Sequence, residues 1–174
     1  MSTNISLYQT TIPQFKKMLF NLKNLLAKAQ AHADLKKYDA NTLLNERLAP
    51  DMFPLIKQIQ IATDAATFCA ARLSGSTPPS NPDTEQSMSE ITARIDKVIQ
   101  YLNGFKEADF SSWSEQKVTV SWMKDKSLKS EDYLIQMVIP NFYFHMTAAY
   151  ALLRRNGIEI GKGDFLGELP WRSL

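Results

Sequence analysis

An asparagine and a histidine interrupt an apolar stripe in the last third of the chain. Asn141 and His145 are four residues apart, so on a helix they lie one turn apart on the same face as Val138, Ala148 and Leu152. A buried polar group left without a hydrogen bond costs about 1–3 kcal/mol. The pair therefore forms either a pocket for a ligand or metal, or a core histidine satisfied by a carboxylate or carbonyl. The spacing alone leaves both interpretations open.

Three further residues complete the predicted pocket. Gln58, on the predicted second helix, is a candidate hydrogen-bond partner for His145 or Asn141. Asp51 lies two turns before Gln58, and its carboxylate is also explained by the dipole at a helix N-terminus, where we expect it to lie in the first turn. Tyr150 is among the aromatic residues expected to close the pocket. The candidates are therefore His145, Asn141, Gln58, Asp51 and Tyr150.

The other reactive residue types form no recognisable site. His32 and His145 are the only histidines, so three histidines cannot bind one zinc ion. Cys69 stands among alanines and is predicted to be a small buried residue. The segment 157–163 resembles a phosphate-binding loop, but it is one residue short and lacks the Ser or Thr that should follow Lys162. We predict no metal ligands and no cofactor, and catalytic residues stay unassigned.

Four long helices are predicted to position these residues, because apolar side chains recur at alternating steps of three and four. The first begins before Pro13 and kinks there, with Ile5 already in phase. The second begins in the segment that contains Pro50 and Pro54, since prolines four residues apart mark a helix start rather than a helix interior. Asp83, with Gln86 as its capping-box partner, caps the third. The fourth runs from Ser130 to Arg155 and kinks at Pro140.

Residues between the third and fourth helices break the helical pattern. Polar and apolar residues alternate over Lys117–Trp122, which predicts a short strand, with 124–126 as a turn and 127–129 as its partner strand. The sequence therefore predicts an all-α four-helix bundle with a short β-hairpin or irregular insertion between helices 3 and 4. We expect residues 1–174 to form a single domain, with Phe165, Leu169 and Trp171 packing the tail onto it.

Composition limits the classes of function. The chain has 174 residues, 44% hydrophobic and 22% charged, and a formal net charge of +2. This near balance gives no basic field for nucleic acid or a membrane surface. One cysteine favours a reducing compartment, and Met1–Thr10 lack the basic and apolar runs of a signal peptide. We expect a cytoplasmic protein whose partner is an unidentified small molecule or a second copy of the chain.

Three segments resemble one protein family: Arg47–Pro54, Pro140–His145 and Gly161–Leu166. Together with the residues around them, they are similar over nearly the whole chain to an uncharacterised bacterial family of unknown function. That family is grouped by fold with the DinB-like superfamily of four-helix bundles. The resemblance implies a DinB-like helical bundle over residues 1–174.

The superfamily resemblance also implies a chemistry to compare with these residues. Its better-known members bind a divalent metal through one histidine of the second helix and a His-x-x-x-His pair of the fourth, and some transfer low-molecular-weight thiols or act as hydrolases. Here only His145 can be carried over, in Asn141-x-x-x-His145 or His145-x-x-x-Ala149, and the second helix has no histidine. We therefore favour a binding or interaction protein without the three-histidine site. The alternatives are a metal-dependent transferase or hydrolase with a degenerate site, and a structural homodimer.

Overall fold

Long helices make up most of the computed structural model, which describes residues 6–120, 122–123 and 125–173. The first three long helices are α1 (Leu7–Lys36), α2 (Leu55–Ser74) and α3 (Met88–Asn103). The fourth helical segment is continuous and consists of α4 (Ser130–Asp132), a π-helical turn (Tyr133–Val138) and α5 (Ile139–Arg155). A short helix, α6 (Lys162–Leu166), follows. The predicted positions Ile5, Ser121 and Lys124 lie outside the described residues.

Helix α1 begins before its proline, as the sequence predicts. Ser6 caps it, because its hydroxyl accepts a hydrogen bond from the Gln9 backbone N–H at 3.3 Å while the Gln9 side chain accepts one from the Ser6 N–H. Pro13 lies inside the helix. The helix ends at Lys37, whose backbone is left-handed with a φ of 60°. Its buried stripe includes Phe15 and supplies one wall of the core.

Helix α2 begins later than the sequence suggests, and this changes the position of Asp51. The prediction that Asp51 lies in its first turn is wrong, because the helix starts at Leu55 and Asp51 is exposed in the preceding turn. Pro54 occupies the N-cap with extended backbone. A proline disfavours helical backbone in the residue before it, so Phe53 cannot continue a helix into α2.

The N-terminus of α3 also differs from the prediction that Asp83 and Gln86 cap it. Ser87 is the N-cap and forms a capping box with Glu90: Ser87 Oγ accepts from the Glu90 N–H at 3.2 Å, and Glu90 Oε2 accepts from the Ser87 N–H at 3.1 Å. Asp83 instead pairs with Lys57 and Arg94. The cap moves because ion pairing engages the Asp83 carboxylate elsewhere.

A two-stranded hairpin lies between α3 and the fourth helical segment. Strand β1 (Lys117–Val118) pairs antiparallel with β2 (Leu128–Lys129), with Lys117 opposite Lys129. The strands are shorter than the alternating pattern suggests, and Val118 alone among their four residues is buried. The predicted helical fold with a short hairpin inserted between the third and fourth helices is confirmed.

The π-helical turn directly precedes the proline of the fourth helical segment. Pro140 follows Ile139 in the first turn of α5. A proline has no N–H to donate and its ring collides with a carbonyl of the preceding turn, which disfavours a regular α-helix there. The wider π-helical turn over Tyr133–Val138 therefore accommodates Pro140, and the kink expected at this proline stays a prediction.

Buried residues of all the long helices form one hydrophobic cluster, and the tail closes one side of it. Helix α6 packs on α1, where the Asn21 amide donates to the Phe165 carbonyl at 2.9 Å. The expectation that the whole tail packs on the body is wrong for Trp171, which is 85% exposed. None of the helices in the described part of the chain is both long and apolar enough to cross a bilayer.

A buried arginine joins two helices and the loop between them. Arg94 on α3 is 5% exposed. Its guanidinium lies 2.7 Å from Asp64 and 3.1 Å from both Asp83 and Glu85, and Nε donates to the Thr63 hydroxyl at 2.8 Å. Asp64 and Thr63 belong to α2, and the other two carboxylates belong to the loop 75–87. The cluster therefore fixes this loop to α2 and α3.

Replacing Arg94 should destabilise the fold. Arg94→Met leaves three carboxylates facing one another without their cation, and we expect the free energy of unfolding to fall by about 2–4 kcal/mol in urea denaturation. Lys23→Met is the matched control, since Lys23 and Asp96 form an exposed pair at 2.7 Å, and it should cost less than about 1 kcal/mol. Equal losses in the two variants would contradict this account of the cluster.

Candidate functional site

The structure brings His145 of α5 into contact with Gln58 of α2. His145 Nδ1 lies 2.6 Å from Gln58 Oε1. Both side chains are buried, with 7% of His145 and 1% of Gln58 exposed. The Gln58 amide nitrogen donates to the Phe53 carbonyl at 2.9 Å, in the turn before α2. The histidine that interrupts the apolar stripe is therefore paired with a side-chain amide rather than with a carboxylate.

These two hydrogen bonds determine which histidine nitrogen carries the proton. The Gln58 amide nitrogen must face the Phe53 carbonyl, because a carbonyl only accepts. Its oxygen therefore faces His145 and accepts, so Nδ1–H is the donor. In the neutral ring the lone pair is then on Nε2, which forms no hydrogen bond with any other described residue. His145 thus offers one free nitrogen.

Burial favours the uncharged form of His145. Desolvation lowers the pKa of the imidazole below its ordinary value of 6.5. No carboxylate among the described residues forms an ion pair with the ring to oppose this shift. We therefore expect a neutral His145 near pH 7, able to accept a hydrogen bond at Nε2.

The other three candidates occupy different places. Asn141 lies one turn before His145 on α5, partly buried, with its amide unpaired among the described residues. Asp51 is exposed in the turn before α2 and forms no side-chain bond with the pair. Tyr150 packs edge-on against Phe165 of α6 at 5.7 Å. At 100° per residue, it faces away from Asn141 by half a turn. The structure therefore brings together only His145, Gln58 and Asn141.

A cavity of about 210 Å³ lies in the groove between α2 and the fourth helical segment, which we call the α2–α5 groove. Asn141 lines it, so the cavity begins one turn from the Gln58–His145 pair. Its walls are mostly apolar. The residues that line it include Asp64, Phe68, Arg72, Trp122, Tyr133 and Asn141. Four larger depressions, of about 240 to 430 Å³, lie at the hairpin, between α1 and α3, at the start of α1 and along the loop before α3, and His145 lines none of them.

One end of this cavity is formed by Arg72 and Tyr133. Arg72 Nη1 donates to the Tyr133 hydroxyl at 2.9 Å. The guanidinium also lies over two aromatic rings, 4.8 Å from the centre of Phe68 and 5.5 Å from that of Tyr133. Burial raises the pKa of Tyr133 to about 12, so its hydroxyl stays protonated. Desolvation likewise raises the pKa of Asp64, although Arg94 opposes this.

Sequence reasoning missed this end of the groove. Arg72 follows Phe68 by four residues, a spacing that places a cation over an aromatic ring on one helix face. That local signal was available. The contact with Tyr133 was not, because it depends on how α2 packs and on the π-helical turn that directs Tyr133 toward it.

The donor set does not fit the three-histidine metal site of better-known DinB-like proteins. The α2 residue bonded to His145 is Gln58 and not a histidine, and the Gln58 oxygen accepts from Nδ1–H. Zinc sites use at least three nitrogen, sulfur or carboxylate ligands. Among the described residues no three His, Cys, Asp or Glu side chains are grouped so that they could hold a metal ion. His145 alone supplies a conventional ligand here.

The remaining reactive groups lie elsewhere. His32 is near Gly157, beyond the C-terminus of α5, and packs against Tyr38. The C-terminus of α5 is ten residues of helix, about 15 Å, from His145. Cys69 is fully buried, and desolvation raises the pKa of its thiol, which disfavours the nucleophilic thiolate. Neither residue contributes to the α2–α5 groove.

Comparison with known proteins identifies the family. Residues 7–166 match the family described as Domain of unknown function (DUF1993). The chain belongs to this family. A crystal structure of a DinB family member protein from Shewanella denitrificans superposes on this DUF1993 chain with a TM-score of 0.92 and 45% sequence identity, covering 97% of this chain and 96% of that one. The predicted DinB-like relationship is confirmed. No curated protein matches the chain.

The lowered pKa of His145 gives this DUF1993 protein a predictable pH dependence. A buried base with a depressed pKa stays neutral in the folded state while the unfolded chain takes up the proton first. Its contribution to stability is therefore complete above about pH 6.5 and is lost as the pH falls below that value. Urea unfolding of wild type should show this loss, and His145→Gln should not.

Direct titration provides the control for this prediction. NMR of the labelled imidazole should show His145 protonated at Nδ1 in the neutral form, with a midpoint below pH 6.5. His32→Gln leaves the Gln58–His145 contact intact and should keep the loss of stability below that pH. A His145 midpoint above 6.5, or a neutral ring protonated at Nε2, would contradict the assignment.

Proposed function

We propose that this DUF1993 protein is a binding protein that holds a small organic molecule in the α2–α5 groove. The observation that carries the proposal is the cavity of about 210 Å³, which has the Asn141 amide, unpaired among the described residues, in its wall one turn from His145. Ligand sites are typically concave and apolar, with a few polar groups that orient the ligand. The groove has this composition, and we propose that Asn141 supplies one of the orienting groups.

The proposal excludes no chemistry, but it assigns His145 a supporting role. Gln58 holds the ring through Nδ1, and the ring in turn keeps α5 in register with α2 one turn from the cavity. We propose that His145 fixes the shape of the groove and presents Nε2 as an acceptor. Asp51 and Tyr150 are not part of this proposed site.

A pocket-filling substitution tests the binding role. Ala65 lines the cavity, so Ala65→Phe should occupy it. Indole and 4-methylphenol, two neutral aromatic probes, should raise the thermal midpoint of wild type in a saturable way, as ligands of the folded state do. The rise should be lost in Ala65→Phe.

Ala27→Phe is the matched control, because Ala27 is exposed in the depression between α1 and α3. This variant should keep the response of wild type. The binding role is wrong if neither probe shifts the midpoint at millimolar concentration, or if Ala65→Phe responds as wild type does.

The second candidate function is a divalent-metal-dependent transferase or hydrolase with a degenerate site. It is favoured by one observation, the free Nε2 of His145 with Asn141 one turn away. An imidazole and an amide form a weak ligand set for zinc, which prefers nitrogen and sulfur ligands in larger number. We therefore rank this candidate below the binding role.

Metal content separates the two candidates. Protein purified without a metal-affinity step should contain well under one equivalent of zinc, nickel, manganese or iron by elemental analysis. Zinc added at equimolar concentration should leave the thermal midpoint unchanged. A stoichiometric metal that is lost in His145→Ala, but kept in His32→Ala, would establish the metal-dependent alternative instead.

The remaining sequence-based expectations stay predictions. They are a homodimer, a cytoplasmic location, a single domain over residues 1–174, and no nucleic-acid partner. Sedimentation over a range of concentrations would test the first of them.

A further inference from the structure

Arg72 lines the α2–α5 groove without a carboxylate partner. No described acidic side chain forms an ion pair with it. The one carboxylate in the cavity wall, Asp64, lies 2.7 Å from Arg94 and is already compensated. Removing a cation from water without a counter-ion costs free energy. Arg72 is partly buried, so an anion within reach of its guanidinium would stabilise it.

The surroundings of the two arginines differ in a way that points to a ligand. Arg94 is enclosed by three carboxylates, so the charge of its guanidinium is compensated. Arg72 has only the neutral hydroxyl of Tyr133. A guanidinium has five N–H donors, and one bond to Tyr133 leaves most of them for another acceptor. Stacking against Phe68 and Tyr133 holds the planar group in one orientation.

Arg72 also lies in the last turn of α2, where a cation is favoured by the helix dipole. An arginine serving the dipole alone would need only to extend into solvent. It would not need to lie over two aromatic rings in the wall of a cavity. The helix dipole alone therefore does not explain the position of the guanidinium.

We propose that the α2–α5 groove binds a small aromatic monocarboxylate, with its carboxylate on Arg72 and its ring against Phe68 and Trp122. This inference rests on the proposed binding function and adds the class of ligand. A carboxylate fits the two parallel N–H donors of a guanidinium edge. The apolar walls match an aromatic body.

The size and charge of the groove disfavour other anions. A phosphate is normally held by several donors, often including backbone N–H groups of a helix N-terminus. Here the wall has one uncompensated cation, at the C-terminal end of α2. About 210 Å³ of space, roughly the liquid volume of seven water molecules, suits a single ring with a short side chain. A neutral aromatic molecule would fit as well, but it would leave Arg72 without its anion.

Calorimetry with two matched probes tests the ligand class. The probes are 3-phenylpropionate and its neutral isostere 3-phenylpropionamide, each titrated into the full chain at constant ionic strength. We expect the carboxylate to bind at least about tenfold more tightly than the amide, since hydrogen bonds to charged groups are the stronger ones. This comparison uses wild type and does not depend on a variant that folds.

Arg72→Gln should remove the tenfold preference by weakening the carboxylate and not the amide. Arg172→Gln is the matched control, because it removes the same charge from the exposed tail, and it should bind both probes as wild type does. Tryptophan emission should change on binding, and this change should be lost in Trp122→Phe.

Failure of this inference can be distinguished from failure of the proposed function. Equal binding of the two probes, abolished by Ala65→Phe, would overturn the carboxylate and leave the binding role standing. An unchanged preference in Arg72→Gln would overturn it as well. If neither probe binds at millimolar concentration although indole or 4-methylphenol raises the thermal midpoint, the carboxylate is overturned and the binding role stands. If none of the four molecules binds, or if Ala65→Phe binds all of them as wild type does, both proposals are wrong.

Discussion

The close packing of α2 against the fourth helical segment is the constraint on which the rest of the structure depends. Small buried residues on α2, among them Ala62, Ala66 and Ala70, let the two helices pack more extensively than any other pair. Polar groups caught in such a seam must be paired within it. Gln58 with His145 near one end, and Arg72 with Tyr133 near the other, meet this requirement. The cavity lies between these two pairs, so its shape follows from where they hold the helices.

The two arginines differ in their partners: Arg94 is paired with carboxylates, whereas Arg72 lines the α2–α5 groove without an ion pair to any described residue. Arg94 and its three carboxylate partners form a buried ion cluster that fixes the loop 75–87 to α2 and α3. Such a cluster adds little to stability over an apolar core, but it is costly to disrupt. Arg72 has the same chemistry without the anions. The difference between the two residues, rather than either one alone, is the reason why we propose a ligand site in the α2–α5 groove.

The sequence predicted those features that depend on local periodicity. It placed the long helices, the inserted hairpin, and the inward position of His145, because each is encoded within a few turns of chain. It also named Gln58 as a candidate partner of His145 or Asn141, and the structure pairs Gln58 with His145. It failed for Asp51, Asp83 and Tyr150. The start of α2 depends on Pro54, and the cap of α3 depends on ion pairs that engage Asp83 elsewhere. The surroundings of Tyr150 depend on α6, which packs beside it. The Arg72–Tyr133 end of the groove requires tertiary packing and could not be read locally.

The π-helical turn over Tyr133–Val138 has a consequence for how such a groove arises and disappears in a family. A π-helical turn holds one residue more than the α-helical turn it replaces. Deleting a single residue there would restore a regular helix and rotate everything before it by about 100°. Tyr133 would then leave Arg72, although no residue of the cavity wall had been substituted. Relatives that are one residue shorter in this turn would share the fold but lack the contact between Arg72 and Tyr133. The length of the turn, and not a substitution in the cavity wall, would then distinguish such relatives from this chain.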